Sequence, residues 1–463
     1  MEKLLEIVSC INDGMSDYVL LFLLAGAGIY FTAITRFVQI RCFAEGWRNA
    51  FGKFSFHGKS NGASSFQALS AAVAAQVGTG NIVGASGAIL IGGPGAIFWM
   101  WIIAFFGMAT IYAEAVLAQK TRITDPDGTI HGGPVYYIKQ AFPNWLGTLL
   151  AVFFAVAIII SLGFMGCMVQ ANSIGETCCN AFGVKAWQVG LIISVLSAGV
   201  FLGGVSRLVS VTEKVVPVMA FIYLLGGIVI LCIRIQYIPE TFSLIFKYAI
   251  HPDALIGGGI GFALKTAISQ GAKRGLFSNE AGMGSTPHAH AIANVKSPHV
   301  QGTVAMIGVF IDTAIVLTMT ALIVISTVYT GNGPLAGASG ETYSELLKSA
   351  NLTQTNLVQY AVSSVSTQNI GNIFVAVCLL FFAFSTILSW NFFGKINFSY
   401  LFGRKAVFIY SALAIIFIFL GTVVKSDLVW ALQDMFNQLM VLPNVIALFA
   451  LSALVRKSAL KSE

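Results

Sequence analysis

Apolar runs that are long enough to cross a bilayer decide what this chain can fold into. The stretches 19–37, 149–167, 215–233 and 304–328 each exceed the roughly 18 residues that a spanning helix needs. One soluble core could not hide so many. Of the 463 residues, 57% are hydrophobic and 10% are charged, where a soluble domain carries about a quarter charged residues. An all-α integral membrane protein is expected. Residues 1–17 carry five acids or bases and no cleavage-site pattern, so no cleavable signal peptide is expected.

Eleven transmembrane helices are expected, at 18–38, 66–91, 94–119, 145–175, 187–204, 208–234, 255–294, 300–329, 369–397, 405–424 and 428–454. They make one transmembrane domain over 1–463. The net charge of +7 would suggest nucleic acid in a soluble protein; here its placement matters more, because cytoplasmic loops collect Lys and Arg. With the first loop inside (Arg36, Arg41, Arg48, Lys53, Lys59), seventeen of the 26 basic residues fall on that side and six on the other, among them Lys3, Lys185 and Lys425. The expected orientation is N-terminus outside and C-terminus cytoplasmic, with no nucleic-acid partner.

The second and seventh spans are both interrupted by glycine, in Gly78-Thr79-Gly80 and in Gly282-Met283-Gly284, about 200 residues apart. Four spans follow each break. Five spans is an odd number, so the second set runs with opposite topology to the first. The pattern is a 5+5 inverted repeat (66–234 and 255–454) preceded by one extra helix (18–38), and glycine-broken helices at matching positions point to a transport site.

Gly78-Thr79-Gly80-Asn81 puts two glycines and two polar side chains at membrane depth. A break there frees carbonyls on one side, which suit a cation, and N–H groups on the other, which suit a carboxylate. In hydrocarbon each unpaired group costs several kcal/mol, so the break must be buried in protein or line a cavity. The segment 273–285 holds Lys273, Arg274, Glu280 and three glycines inside an apolar span; these charges either serve function or form an ion-pair network at the membrane boundary. Glu114, Gln170, Glu213, Asp312, Ser385, Thr386, Asp434 and Asn437 are further polar groups in apolar spans. Of these, Glu114, Glu213 and Asp434 lie near helix ends and are expected to pair with loop bases. Ser385-Thr386 offers two adjacent hydroxyls for a cation or for their own i−4 carbonyls. His288 and His290 point in different directions on a helix, and no acid or Cys cluster completes a metal site there. The seven Cys read as buried small hydrophobes, with Cys178–Cys179 adjacent and no CxxC spacing.

The blocks Gly78-Thr79-Gly80-Asn81-Ile82-Val83-Gly84, 92–101 (GGPGAIFWMW), 106–110 (FGMAT), 273–285 (KRGLFSNEAGMGS) and Leu442-Pro443-Asn444 resemble the alanine/glycine:cation symporter family, over about residues 15–455. The resemblance implies a LeuT-type fold, sodium as the coupling ion with no cofactor, and alanine or glycine as substrate, in a protein that works as a monomer in the lipid bilayer of the cell membrane. It further implies that Thr79, Gly80 and Asn81 bind the substrate carboxylate with Gln170 facing it. Met283 and Gly284 would line the pocket, and Phe164 and Trp390 would close its apolar end. The sodium site would use the carbonyls of Ala74, Val77 and Phe382 and the hydroxyls of Ser385 and Thr386. Another amino acid, or proton coupling, is the alternative. A channel fits the paired breaks less well, and HExxH and GxSxG, which would point to an enzyme, are both absent.

Overall fold

The structure, a computed structural model, describes residues 2–15, 19, 21–52, 63–126, 130–251, 255, 260–424 and 426–460. Lys53, Lys59, Lys425 and Lys461 of the charge count lie outside these, as do 18, 20 and 256–259 at the edges of two expected spans. The described residues are mostly helical, with one two-residue hairpin pairing Ile123–Thr124 with Ile130–His131.

Among the described residues, six helices are long and apolar enough to cross a membrane: Ala96–Thr121, Trp145–Phe182, Gly204–Ile233, Pro298–Val328, Asn369–Phe402 and Arg404–Gly421. Two bent pairs raise that number to eight, and Leu21–Ile34 and Ala186–Phe201 are shorter apolar helices. Ile260–Asn279 falls in the expected seventh span and carries Lys265, Lys273 and Arg274. The outward faces are apolar: Leu191, Ile192, Val195, Phe221, Val229 and Phe408 are all exposed. Lipid is the solvent in which such a surface is stable.

Local chemistry sets the helix ends. Ser64 Oγ accepts the Gln67 N–H (3.1 Å) while Gln67 Oε1 accepts the Ser64 N–H (2.9 Å), which starts the helix Ser65–Gln76. Ser297 caps the helix Pro298–Val309, whose first residue is a proline with no N–H to satisfy. The helix Ile238–Ile250, between the sixth and seventh expected spans, has no counterpart in the expectation. It is short and carries Glu240 and Lys247, so it reads as a loop by hydropathy.

Both expected breaks are present. Ser65–Gln76 and Gly80–Gly92 meet at 46°. Ile260–Asn279 ends before a non-helical stretch in which Glu280, Gly282 and Gly284 have φ of 57°, 90° and 79°. That left-handed backbone is natural for the two glycines and unusual for Glu280. The half-helix that follows, Pro287–Ala291, has five residues, so the two breaks are not mirror images in length. Three segments around them are π-helical, Gly80–Gly84, Ile159–Gly166 and Phe310–Leu317, a distortion that recurs at functional sites.

Candidate functional site

At the first break the helical ladder is rerouted. In a continuous helix the Gly78 N–H would bond the Ala74 carbonyl, and the Asn81 N–H the Val77 carbonyl. Instead the Gly78 N–H goes to Asn81 Oδ1 (3.0 Å) and the Asn81 N–H to the Gly78 carbonyl (3.3 Å). The two freed carbonyls converge on Thr386 Oγ1, which lies 2.9 Å from Ala74 O, 3.4 Å from Val77 O and 3.0 Å from Phe382 O. One hydroxyl proton cannot serve three acceptors, so the cluster is rich in oxygen and poor in hydrogen, which suits a hard cation. Ser385 Oγ bonds the same Phe382 carbonyl (2.9 Å) and touches Met219 Sδ (3.5 Å). The five residues read as a cation site are thus neighbours, with Thr386 central and Ser385 turned partly toward Met219.

On the other side of the break, the Thr79 N–H donates to Gln170 Oε1 (3.1 Å). Thr79 Oγ1 and Gln170 Nε2 are buried without a protein partner. An unpartnered buried polar atom costs about 1–3 kcal/mol, and these two donors stand beside the N–H groups of a broken helix. Gly80 packs against the second broken span: a Cβ there would come 2.9 Å from Ser278 Cα and 3.1 Å from Phe277 Cδ1. The Asn81 side chain does not face an open space. Its Nδ2 donates to Asp312 Oδ1 (2.6 Å) and to the Asp312 carbonyl (3.2 Å).

Asp312 is a central residue that hydropathy and spacing marked only as polar. Its carboxylate also accepts Ser278 Oγ (3.0 and 2.9 Å) and Thr313 Oγ1 (2.8 Å), so it joins both breaks. Glu280 accepts Trp390 Nε1 (2.5 Å) and Ser285 Oγ. Glu114 accepts the N–H groups of Gly282 (3.1 Å) and Gly284 (2.9 Å) and Asn444 Nδ2 (2.6 Å). Among the described residues, none of these three fully buried carboxylates makes an ion pair.

The charged groups of the second block therefore divide. Lys273 (3.0 Å) and Arg274 (3.3 Å) pair with Asp434, whereas Glu280 stays with Trp390; a single network of all three, one of the two readings of that block, does not form. Of the acids expected to pair with loop bases, Asp434 meets bases of a broken helix. Glu213 takes Gln67 Nε2 (3.0 Å), and Glu114 serves backbone N–H groups. The reason is distance in sequence: Glu114 and Gly282 are 168 residues apart, and no local pattern joins them. His288 lies between Ser285 O (2.7 Å) and Asn397 (2.8 Å), and His290 bonds Gln301 (2.8 Å).

The remaining expected site residues are less tightly grouped. Trp390 sits edge-on to Phe277, centroids 5.8 Å apart, close to Gly80 through that ring. Met283 is buried, its N–H on the Glu280 carbonyl (3.1 Å). Gly284 lies beside Pro134, Phe154 and Asn444, and Phe164 stacks on Phe417 (4.7 Å) and tilts against Tyr410 (5.5 Å).

Residues 1–461 match the profile of the sodium:alanine symporter family. The sodium/alanine symporter AgcS of Methanococcus maripaludis is 39% identical over 451 residues, which covers 97% of this chain and 95% of that protein. YrbD of Bacillus subtilis, whose name proposes a sodium/proton-dependent alanine carrier, is 38% identical over 454 residues, 96% of this chain and 90% of its own. Among solved structures, a mutant manganese transporter of Eremococcus coleocola shares the fold with a TM-score of 0.53 at 14% identity, covering 85% of this chain and 78% of that one.

Proposed function

Because the chain belongs to the sodium:alanine symporter family, and is a transporter rather than an enzyme, we propose that it couples sodium entry to uptake of alanine or glycine by alternating access. The observation that supports this most directly is the convergence of the freed Ala74 and Val77 carbonyls on Thr386 Oγ1 (2.9 and 3.4 Å). Sodium held there by these carbonyls, Phe382 O and the Ser385 and Thr386 hydroxyls would steady the bent geometry of the first broken span. The Thr79 and Gly80 N–H groups, with Gln170, would hold the substrate carboxylate. Asn81 would act by fixing the break, since its side chain is already engaged. Met283 and Gly284 would line the pocket from the second break, with Trp390 and Phe164 limiting its apolar end.

The same reading takes the domain 1–463 as eleven spans in a LeuT-type 5+5 inverted repeat after one extra helix, monomeric in the cell membrane, N-terminus outside and C-terminus cytoplasmic. The basic residues support that orientation. Reconstituted vesicles given labelled alanine, with sodium and proton gradients imposed separately, test the coupling. Accumulation should need inward sodium; equal accumulation on a proton gradient alone would overturn sodium coupling. The second reading, proton coupling, draws on the name of the Bacillus subtilis relative.

A further inference from the structure

We propose that Cys42, Glu45 and His299 form a binding site for a zinc-class divalent cation that staples the helix Phe43–Phe51 to the helix Pro298–Val309. One ligand atom from each lies within 4.8 Å of the other two. Cys42 is the cap residue ahead of Phe43–Phe51 and Glu45 follows three positions later, so both stand on one face of its first turn. His299 comes from the first turn of Pro298–Val309, its Nε2 3.4 Å from Glu45 Oε2. Metal bonds of about 2.0 Å to nitrogen and oxygen and about 2.3 Å to sulfur need ligand atoms somewhat closer than this, a change that side-chain rotation supplies.

Two further features favour an ion over a plain His–Glu contact. His299 Nδ1 is bonded to the Tyr112 hydroxyl (2.7 Å), which fixes the ring and directs Nε2 at the cluster, as outer-shell partners of metal-bound histidines do. The two helices also touch closely beside the cluster. A Cβ at Gly46 would come 2.6 Å from the Thr303 carbonyl, and Asn49 Nδ2 bonds Thr303 Oγ1 (3.2 Å), so the backbones that carry the three ligands are held in place. A sulfur, nitrogen and oxygen set is the choice of zinc and its neighbours, whereas sodium, calcium and magnesium take oxygen. The site is therefore chemically separate from the oxygen cluster at Thr386. Three protein ligands leave a fourth position for water, and Glu45, 35% exposed, gives the ion a way in. No spacing motif marks the site, because Glu45 and His299 are 254 residues apart.

The test uses the full purified chain, stripped of metal, with the exposed Cys10 and Cys232 and the partly exposed Cys179 replaced by serine. Titration with cobalt(II) should produce a thiolate-to-cobalt absorption band that saturates at one ion per chain and is displaced by zinc. The band should vanish in Cys42→Ser. Glu45→Gln, at a half-exposed position that folding tolerates, should weaken binding about tenfold or more, and Tyr112→Phe about tenfold. Absence of the band in the parent, or cobalt affinity unchanged in Glu45→Gln, would overturn the site even if Cys42→Ser did not fold.

Discussion

Asn81 and Asp312 join the first broken span to the π-helical segment Phe310–Leu317: Asn81 Nδ2 lies 2.6 Å from Asp312 Oδ1, and Ser278 of the second broken span reaches the same oxygen at 3.0 Å. One carboxylate thus sets the spacing of both breaks. Asn81 Oδ1 meanwhile holds the Gly78 N–H (3.0 Å), so the amide is used at both ends. Movement of either broken span relative to the other must pass through this junction.

An exchange of the two side chains tests that coupling. Asn81→Asp places two carboxylates in hydrogen-bond contact in a buried site, and Asp312→Asn removes the charge that Ser278 and Thr313 serve. Each single change should lower uptake by about tenfold or more, since hydrogen bonds to a charged group contribute about 1.5–3 kcal/mol. The double variant restores one amide facing one carboxylate and should recover part of the loss. A double variant no better than the worse single one, in vesicle uptake with equal protein, would mean that the pair does not act as a unit.

The oxygen cluster makes a separate prediction. Thr386→Val keeps the shape and removes the hydroxyl that meets Ala74 O and Val77 O. The sodium half-saturation should rise about tenfold, which is 1.4 kcal/mol, with a smaller change in the alanine half-saturation at saturating sodium. Thr386→Ser keeps the oxygen and should stay near the parent. Uptake measured against sodium concentration decides it, and an unmoved sodium half-saturation in Thr386→Val removes Thr386 from the site.

What could be read before the structure was known follows the range of each signal. Gly78-Thr79-Gly80-Asn81 announces a helix break locally, because two glycines and two polar side chains cannot sit in lipid unserved, and the break lies there. What the freed groups meet is not local. Thr386 is 312 residues from Ala74, Asp312 is 231 from Asn81, and Asn444 is 330 from Glu114. Family resemblance points to Thr386; Asp312 has no comparable pointer and reads only as a polar group in an apolar span, while Glu114, near a helix end, reads as a partner for a loop base. The helix Ile238–Ile250 escaped because its amphipathic residues neither span nor break a span.

Glu114 should prove to be the anchor of the second break. It accepts the N–H groups of Gly282 and Gly284, and Asn444 links it to the Gly282 carbonyl (2.9 Å). Glu114→Ala leaves two buried N–H groups unpaired at about 1–3 kcal/mol each, so the unfolding temperature should fall clearly, and uptake with it. Glu114→Gln keeps one acceptor oxygen and should fall between. Thermal unfolding in detergent, read beside uptake, checks the order; equal stability of Glu114→Ala and the parent would show that other groups hold the break.

Substrate size is the last prediction, and two variants should move it in opposite directions. Trp390 is fixed by Glu280 (2.5 Å) and Phe277, and its ring crowds Gly166, where a Cβ would come 2.5 Å from Cε3 and Cζ3. Met283 is fully buried at the second break. If both bound the pocket beyond the α-carbon of the amino acid, a methyl side chain would fill it, and an isopropyl would have to displace ring or thioether atoms. Forcing methylenes into a packed site costs about 1–3 kcal/mol, roughly 5- to 150-fold in affinity. Met283→Ala removes thioether bulk and should admit valine or leucine while alanine still binds, because the head-group contacts proposed at Thr79 and Gly80 would be untouched. Gly166→Ala pushes the Trp390 ring instead, and if the ring moves into the pocket alanine uptake should fall more than glycine uptake. Competition of labelled alanine by glycine, valine and leucine, in the parent and both variants, measures the shifts. Should Met283→Ala fold well and leave the order of competitors unchanged, Met283 packs between helices and does not line the pocket.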